Sequence, residues 1–462
     1  MEFRARPLVF AALLALAADA RAESQTAAFE RYMDACVKVN RFSGCVLVAK
    51  EGKILFRRGY GLANAEHDVE NTPETKFRLG SITKQFTAMA VMILSEQGKI
   101  RLDDPVGKYL TDAPKAWEGV TIHHLLSHTG GVPSYTSDPG YLAMMTYPVT
   151  VRSMIGRFRD KPLEFKPGQK FAYSNSGYFL LGAVIEKVTG KSYETFLKEA
   201  IFDPLGMKDT GYDWPKTLLK NRASGYTLTA NGLENAAYLD MGQPYAAGSL
   251  YSTVDDLARW DGALTEGKLI SRESYARMFT PVKSDYAYGW GVTTRGGRKE
   301  ISHGGGINGF VTQILRYPEK KVCVVVLCNV LPQNPGKVAH DLAAITFGEP
   351  YKVPVERKPV KVDSKVYDAY AGRYRLSRDV TVTVTREGDR LMIQPTGQPK
   401  LELVPESETR FFIKIVDADV RFIKDAKGKV THVVINRGKD EDKAERIEAT
   451  DGGTPKSAAP SR

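Results

Sequence analysis

The sequence predicts an α+β fold in which one antiparallel sheet, flanked by helices, is followed by a small antiparallel β-barrel. Strand-hairpin patterns open and close the longer N-terminal part, and helical patterns fill the interval between them. Beyond residue 364 the texture changes to short strands with period-two alternation and tight turns. Helices gathered between the terminal hairpins of one sheet differ from the regular strand–helix alternation of a doubly wound fold.

The first hairpin pairs 45–50 with 53–58 around Glu51-Gly52. The second pairs 310–317 with 321–330 around Pro318-Glu319-Lys320. Between them, 81–97 carries apolar residues at Ile82, Phe86, Met89, Val91, Ile93 and Leu94 and stops before Gly98, which predicts a helix. Further helices are predicted at 175–188, 192–201 and 253–263. Residues 348–364 hold Pro350, Pro354 and Pro359 among lysines and valines, the pattern of a stiff, extended linker. After it, 380–385 alternates strictly, with further strands predicted at 390–394, 410–416, 419–423 and 430–436. Glu387-Gly388-Asp389 and Lys427-Gly428-Lys429 supply turns between them. The expected organisation is a leader at 1–22, a large domain at 23–347, a linker at 348–364, a barrel at 365–450 and a disordered tail at 451–462.

Arg4 and Arg6, the apolar stretch 7–18 and Ala20-Arg21-Ala22 make the leader a secretory signal peptide, cut after Ala22. Its apolar stretch is shorter than the roughly 20 residues a spanning helix needs, so no transmembrane segment is expected after cleavage. The mature protein is expected to be periplasmic or secreted. The formal charge is +11, and cleavage lowers it only to about +10. Lysines and arginines are interleaved with acids along the chain, which argues against a nucleic-acid partner. A basic surface does suit anionic cell-wall polymers. Of the four cysteines, Cys323 and Cys328 lie five steps apart on one apolar strand, roughly 16 Å, too far to bond. Cys36 and Cys45 are open to local pairing, to pairing with that strand, or to use as buried thiols. Neither a C-x-x-C nor a zinc-like His/Cys spacing occurs, and no metal or organic cofactor is expected.

The chemistry is carried by three short motifs. Ser81-Ile82-Thr83-Lys84 is the one S-x-x-K in the chain and opens the apolar helix. Positions i and i+3 share a helix face, so the Lys84 amine can reach the Ser81 hydroxyl. A serine becomes nucleophilic when a neighbouring base takes its proton, and a lysine or tyrosinate of lowered pKa serves. A helix N-terminus also presents N–H groups to an oxyanion. Tyr173-Ser174-Asn175 places a phenol and an amide on one side of an extended segment. The phenol is expected to have its pKa pulled down by the lysine, and the amide to hold a substrate carbonyl. His303-Gly304-Gly305-Gly306 precedes the second hairpin, where glycines let substrate approach a strand whose N–H completes the oxyanion site. A second H-x-G, at His128-Thr129-Gly130, follows a helical segment and is expected only to shape the cleft wall.

Together these motifs resemble those of the class C β-lactamase-related serine hydrolases, which include D-Ala-D-Ala peptidases, D-aminopeptidases and esterases with the penicillin-binding fold. Residues 77–83, 125–131 and 247–252 add to the likeness, which spans most of 30–345. The region around Tyr370 to Ile447 resembles the lipocalin-like barrel appended to some members. The resemblance implies a β-lactamase/transpeptidase-like domain with an additional all-helical region. It also implies Ser81 as the acylated nucleophile, Lys84 and Tyr173 as the proton-transfer pair and Asn175 as a substrate contact. His303, Gly305 and Gly306 would lie on the cleft-edge strand, with the Ser81 and Gly306 N–H groups as oxyanion donors.

One departure shapes the expected substrate. β-Lactamases carry lysine, usually followed by threonine or serine, where this chain has His303-Gly304, and use it to hold the drug's carboxylate. A neutral histidine removes that fixed charge. The expected activity is therefore cleavage of amides or esters through an acyl-enzyme, on D-amino-acid peptides or peptidoglycan-related fragments. Small esters are close behind, weak β-lactam hydrolysis is a further option, and a non-catalytic cell-wall-binding protein is the alternative. The barrel is compatible with capping the cleft, driving oligomerisation or binding a ligand.

Overall fold

Val322–Cys328 is apolar and buried at every position, as a strand covered on both faces must be. It lies inside a six-stranded antiparallel sheet ordered Gly291–Arg295, Arg298–Ile307, Phe310–Tyr317, Val322–Cys328, Gly44–Lys50 and Lys53–Tyr60. The computed structural model describes residues 24–229, 231–377, 380–396, 400–413, 418–437 and 440–447. The expected signal peptide, the expected tail and the end of the strand expected at 410–416 lie outside the described residues. The chain divides into two compact units. One holds the described residues up to Gly225, Ala237–Asn329 and Asn334–Pro354; the other holds Tyr226–Ala236, Val330–Gln333 and the described residues from Val355 onward. Among the described residues no helix is long and apolar enough to cross a membrane.

Alternation along the strands sends side chains to opposite faces of the sheet. Val46, Val324 and Val326 meet Phe29, Met33 and Leu342 of the helices Gln25–Asn40 and Pro335–Phe347. On the other face, Leu47, Val325 and Leu327 join the larger core that contains the helices Thr83–Glu96 and Val254–Glu266. The four cysteines are buried thiols outside any disulfide, Cys36 and Cys328 on the first face, Cys45 and Cys323 on the second. Cys36 and Cys45 are therefore separated by the sheet, and all four thiols serve as small core side chains.

Ser174 and Thr253 cap the helices Asn175–Thr189 and Val254–Glu266, and Gly190 and Gly267 end them in the left-handed conformation. The helix expected at 192–201 is α-helical only over Tyr193–Leu197. It continues as a π-helical turn, Lys198–Phe202, which keeps Ile201 and Phe202 in the core.

The second unit contains a closed eight-stranded antiparallel barrel, in which Gly372–Arg375 pairs with Thr381–Glu387 on one side and Asp440–Ile447 on the other. A barrel of this size is just wide enough to be filled by its own side chains. Here Tyr370, Tyr374, Phe411 and Phe422 fill it, with the Tyr370 and Phe422 rings stacked at 4.3 Å.

Candidate active site

Ser81 sits on a single 3-10 turn, Gly80–Ile82, that leads into the helix Thr83–Glu96. That helix is buried from Thr83 through Leu94, on all sides, so its polar side chains need partners. Thr87 donates to the Ala246 carbonyl at 2.7 Å, Gln85 accepts from Trp260 Nε1 at 3.0 Å, and Thr83 accepts from the Leu250 N–H at 3.2 Å. The first bond ties the helix to the Tyr245–Ala247 turn, and the other two tie it to Trp260 and Leu250. Gly182 lets that turn approach: a Cβ there would lie 2.4 Å from the Tyr245 ring and 2.5 Å from Ala246 Cβ.

Lys84 Nζ lies 3.1 Å from Ser81 Oγ, 2.9 Å from Asn175 Oδ1 and 2.8 Å from the Ala247 carbonyl oxygen. The last two can only accept, so each takes an N–H. An ammonium would give its third N–H to Ser81 Oγ, whereas a neutral amine has two N–H bonds and turns its lone pair to the Ser81 hydroxyl. None of these partners is a carboxylate, and burial pushes the Lys84 pKa well below the usual lysine value. Burial without a counter-ion favours the uncharged amine.

Tyr173 flanks the same serine, its ring 4.8 Å from Lys84 Nζ and 39% exposed to the cleft. Burial of the hydroxyl raises its pKa, with a hydrogen bond to Ser81 working the other way. This reverses the expectation of a phenol pulled down by lysine. Withdrawal from water disfavours the tyrosinate more than the Ser81 bond favours it, so the phenol keeps its proton. Asn175 is held from three sides: its N–H donates to Ser134 Oγ at 3.1 Å, Nδ2 donates to Thr136 Oγ1 at 3.0 Å, and Oδ1 accepts from Lys84.

His303 lies on the strand Arg298–Ile307, beyond the stretch that pairs with Gly291–Arg295. Its Nδ1 is 2.6 Å from the Gly304 carbonyl oxygen and its Nε2 is 2.9 Å from the Tyr286 hydroxyl. A carbonyl only accepts, so Nδ1 carries the proton and Nε2 accepts from Tyr286. Burial, and then proximity to Lys84, push the His303 pKa down to about 4, against the Gly304 bond that raises it. Both nitrogens of this neutral ring are thus engaged within the protein.

Gly305 and Gly306 differ in what surrounds them. A Cβ on Gly305 would lie 1.9 Å from the Leu79 carbonyl oxygen and 2.4 Å from Thr312 Oγ1, the group that donates to that carbonyl at 2.8 Å. A Cβ on Gly306 would meet nothing within 4 Å. Gly80, at φ 55°, completes the contact, since its Cβ would lie 2.9 Å from Gly306 N. Gly305→Ala is expected to push the strand off the serine turn, costing about 3 kcal/mol of stability and most activity. Gly306→Ala is expected to change stability by less than about 1 kcal/mol while lowering kcat/KM, because the methyl enters the cleft. Denaturant melts and ester kinetics on both variants check the contrast.

The cleft of about 490 Å³ is lined by Ser81, Tyr173, His303, the three glycines, Gln313 and the Asn334–Gly336 segment among others, and none of its lining side chains carries a formal charge. Two contributors were not anticipated in their roles. His128, expected only to shape a wall, accepts from the Ser174 N–H at 3.1 Å and lays its ring 4.2 Å from that of Tyr173. Burial keeps it neutral, its pKa well below the usual value. Tyr286, which orients His303, belongs to an aromatic-rich loop with no motif to mark it.

A family model described as Beta-lactamase matches residues 27–346, and one described as Domain of unknown function (DUF3471) matches 356–449. Penicillin-binding protein 4* of Bacillus subtilis (strain 168) is 32% identical, over 87% of this chain and 95% of that protein. Among solved structures, the octameric penicillin-binding protein homologue from Pyrococcus abyssi is 30% identical with a TM-score of 0.65, covering 90% of this chain and 99% of that one. A D-stereospecific amidohydrolase from Streptomyces sp. is 25% identical with a TM-score of 0.59, covering 70% and 99% respectively.

Proposed function

The chain belongs to the Beta-lactamase family, whose members are serine hydrolases, and on that premise we propose an exported enzyme that cleaves amides or esters through an acyl-enzyme on Ser81. The single observation that carries this reading is the Lys84 amine, fully buried and without a carboxylate partner, 3.1 Å from Ser81 Oγ. Lys84 takes the hydroxyl proton as Oγ bonds to the substrate carbonyl carbon, and the carbonyl electron pair moves to oxygen. The N–H groups of Ser81 and Gly306 stabilise that oxyanion, and Asn175 steadies the substrate carbonyl side. As the intermediate collapses, Tyr173 gives its proton to the departing amine or alcohol and regains one from the Lys84 ammonium. Water then adds to the ester, passes its proton back along the same pair, and releases the acid from Ser81.

Substrate choice follows from the absence of charge along the cleft. His303 is neutral with both nitrogens bonded internally, so it offers a substrate carboxylate neither a cation nor a free N–H. D-Amino-acid amides and peptides whose reacting end is uncharged are the favoured class, and the similarity to a D-stereospecific amidohydrolase supports it. Small esters fit the same uncharged lining.

Mass spectrometry of the intact protein after exposure to a fluorophosphonate tests the acyl-enzyme. A single adduct on Ser81, absent from Ser81→Ala, is expected; a folded protein with no adduct would sink the proposal. A panel of D- and L-aminoacyl amides, p-nitrophenyl esters and nitrocefin, with Ser81→Ala as control, then ranks the substrates. Nitrocefin is expected to be hydrolysed at least ~100-fold more slowly than the best uncharged substrate, a difference of about 2.7 kcal/mol in transition-state binding. Faster nitrocefin turnover would overturn the substrate reading while leaving the serine chemistry intact.

A further inference from the structure

A second concave site lies on the first unit, with a volume of about 450 Å³. Buried Phe202 and Met207 contribute to its lining, and Trp214 stands exposed beside them. The indole is fixed twice. One face stacks on Tyr212, with ring centroids 4.5 Å apart at 26°, and its N–H donates to the Glu194 carboxylate. A large aromatic surface held this way binds with little loss of conformational freedom.

The charged groups lining the site balance: carboxylates at Glu194 and Asp203 stand against ammoniums at Lys198 and Lys208. Lys198 holds both Asp203 oxygens at 2.6 Å. This balance disfavours a polyanion or a polycation. A cage for a quaternary ammonium needs aromatic faces on several sides of the ligand; here Trp214 and Tyr212 cover one another, and Phe202, which is buried, and Tyr251 are the other aromatic rings of the lining. What remains is a flat apolar platform ringed by hydrogen-bonding groups of both polarities. That combination matches a pyranose, whose C–H face is apolar and whose edge donates and accepts hydrogen bonds.

We propose that the Trp214 site binds a neutral saccharide, separately from the Ser81 cleft. The sugar ring lies on the exposed part of the indole, with its hydroxyl groups reaching Glu194 and the Lys198–Asp203 pair.

The chain supplies its own reporter. Of its four tryptophans, Trp117, Trp260 and Trp290 are buried, and Trp214 is 42% exposed. Iodide quenching of the full-length protein at constant ionic strength therefore reads Trp214. Chitotriose or maltotriose is expected to protect that fluorescence saturably. In Trp214→Ala, saturation-transfer NMR signals from the same trisaccharide should fall at least ~10-fold, with the circular dichroism spectrum unchanged. Absence of protection by both trisaccharides would overturn the proposal. So would equal protection by adenosine, which would make the site a slot for aromatic rings, or by choline, which would make it a cation site. The wild-type quenching result decides the matter even if the alanine variant fails to fold.

Discussion

Ser81→Ala and Lys84→Met each lower kcat/KM for a p-nitrophenyl ester by about 10⁴-fold, through loss of the nucleophile in one case and of its base in the other. Paired losses of similar size are expected because the two side chains act as one unit, so the double variant should be little worse than either single. The base also leaves a signature in pH. A neutral Lys84 is the active form, so kcat/KM rises with pH as the residual ammonium is lost, and this limb lies well below the ordinary lysine value of 10.5.

The same shift has a consequence for stability. Between the lowered value in the fold and 10.5, the unfolded chain binds a proton at Lys84 that the folded chain refuses. The unfolded state therefore gains relative stability as pH falls, and the protein is more stable at the upper end of that interval. Lys84→Met removes this dependence whatever it does to absolute stability, since methionine does not titrate. Urea melts across a pH series measure it. A wild-type slope identical to that of Lys84→Met would mean that the folded protein holds an ammonium, and the base assignment would fall.

Asp213→Ala is expected to cost about 3 kcal/mol or more, the typical penalty for leaving a buried ion partner alone. The Asp213 side chain is 1% exposed and accepts from Arg78 Nε at 2.6 Å and Arg222 Nη1 at 2.7 Å. Removing it strands two guanidiniums, of which that of Arg78 is largely buried. Arg78 ends the short strand Phe77–Arg78, two residues before Gly80. Its release should loosen the serine turn, so activity is expected to fall even where the variant remains folded. Asp213→Asn keeps the shape and an acceptor, and should lie between alanine and wild type. A stability loss below about 1 kcal/mol for Asp213→Ala would show that solvent reaches these arginines more freely than their burial implies.

Much of the first unit was legible because its elements announce themselves locally. The run at Val322–Cys328, the hairpins at Glu51-Gly52 and Pro318-Glu319-Lys320, and the apolar helix after Ser81 each follow from residue pattern alone. The barrel was legible in part. Thr381–Glu387 alternates cleanly, but Asp440–Ile447 reads Asp-Glu-Asp-Lys-Ala-Glu-Arg-Ile, and from Glu441 onward only Ala444 is among the fully buried core side chains. One small inward residue gives no period-two signal, so this closing strand was missed, as were Gly372–Arg375 and Leu401–Pro405. At the candidate site the motifs marked Ser81, Lys84, Tyr173, Asn175 and His303, and the fold brings these residues around one cleft. The protonation pattern was beyond the sequence, because it depends on burial contributed by distant segments: the Tyr245–Ala247 turn over Lys84, and Tyr286 and His128 around the histidine and tyrosine.

The pairing of Gly44–Lys50 with Val322–Cys328 also bears on the order of events during synthesis. The early strand is made long before its partner, and until residues near 328 are available it lacks one edge of its native sheet. Loop closure over so long a separation is slow, and the first unit cannot complete its core while its later segments are still being translated. A chain built this way completes its central sheet only after the segment near residue 328 has been made. Moving the early strand next to its partner by circular permutation should shorten that delay, and time-resolved refolding of the permuted and natural chains would display the difference directly.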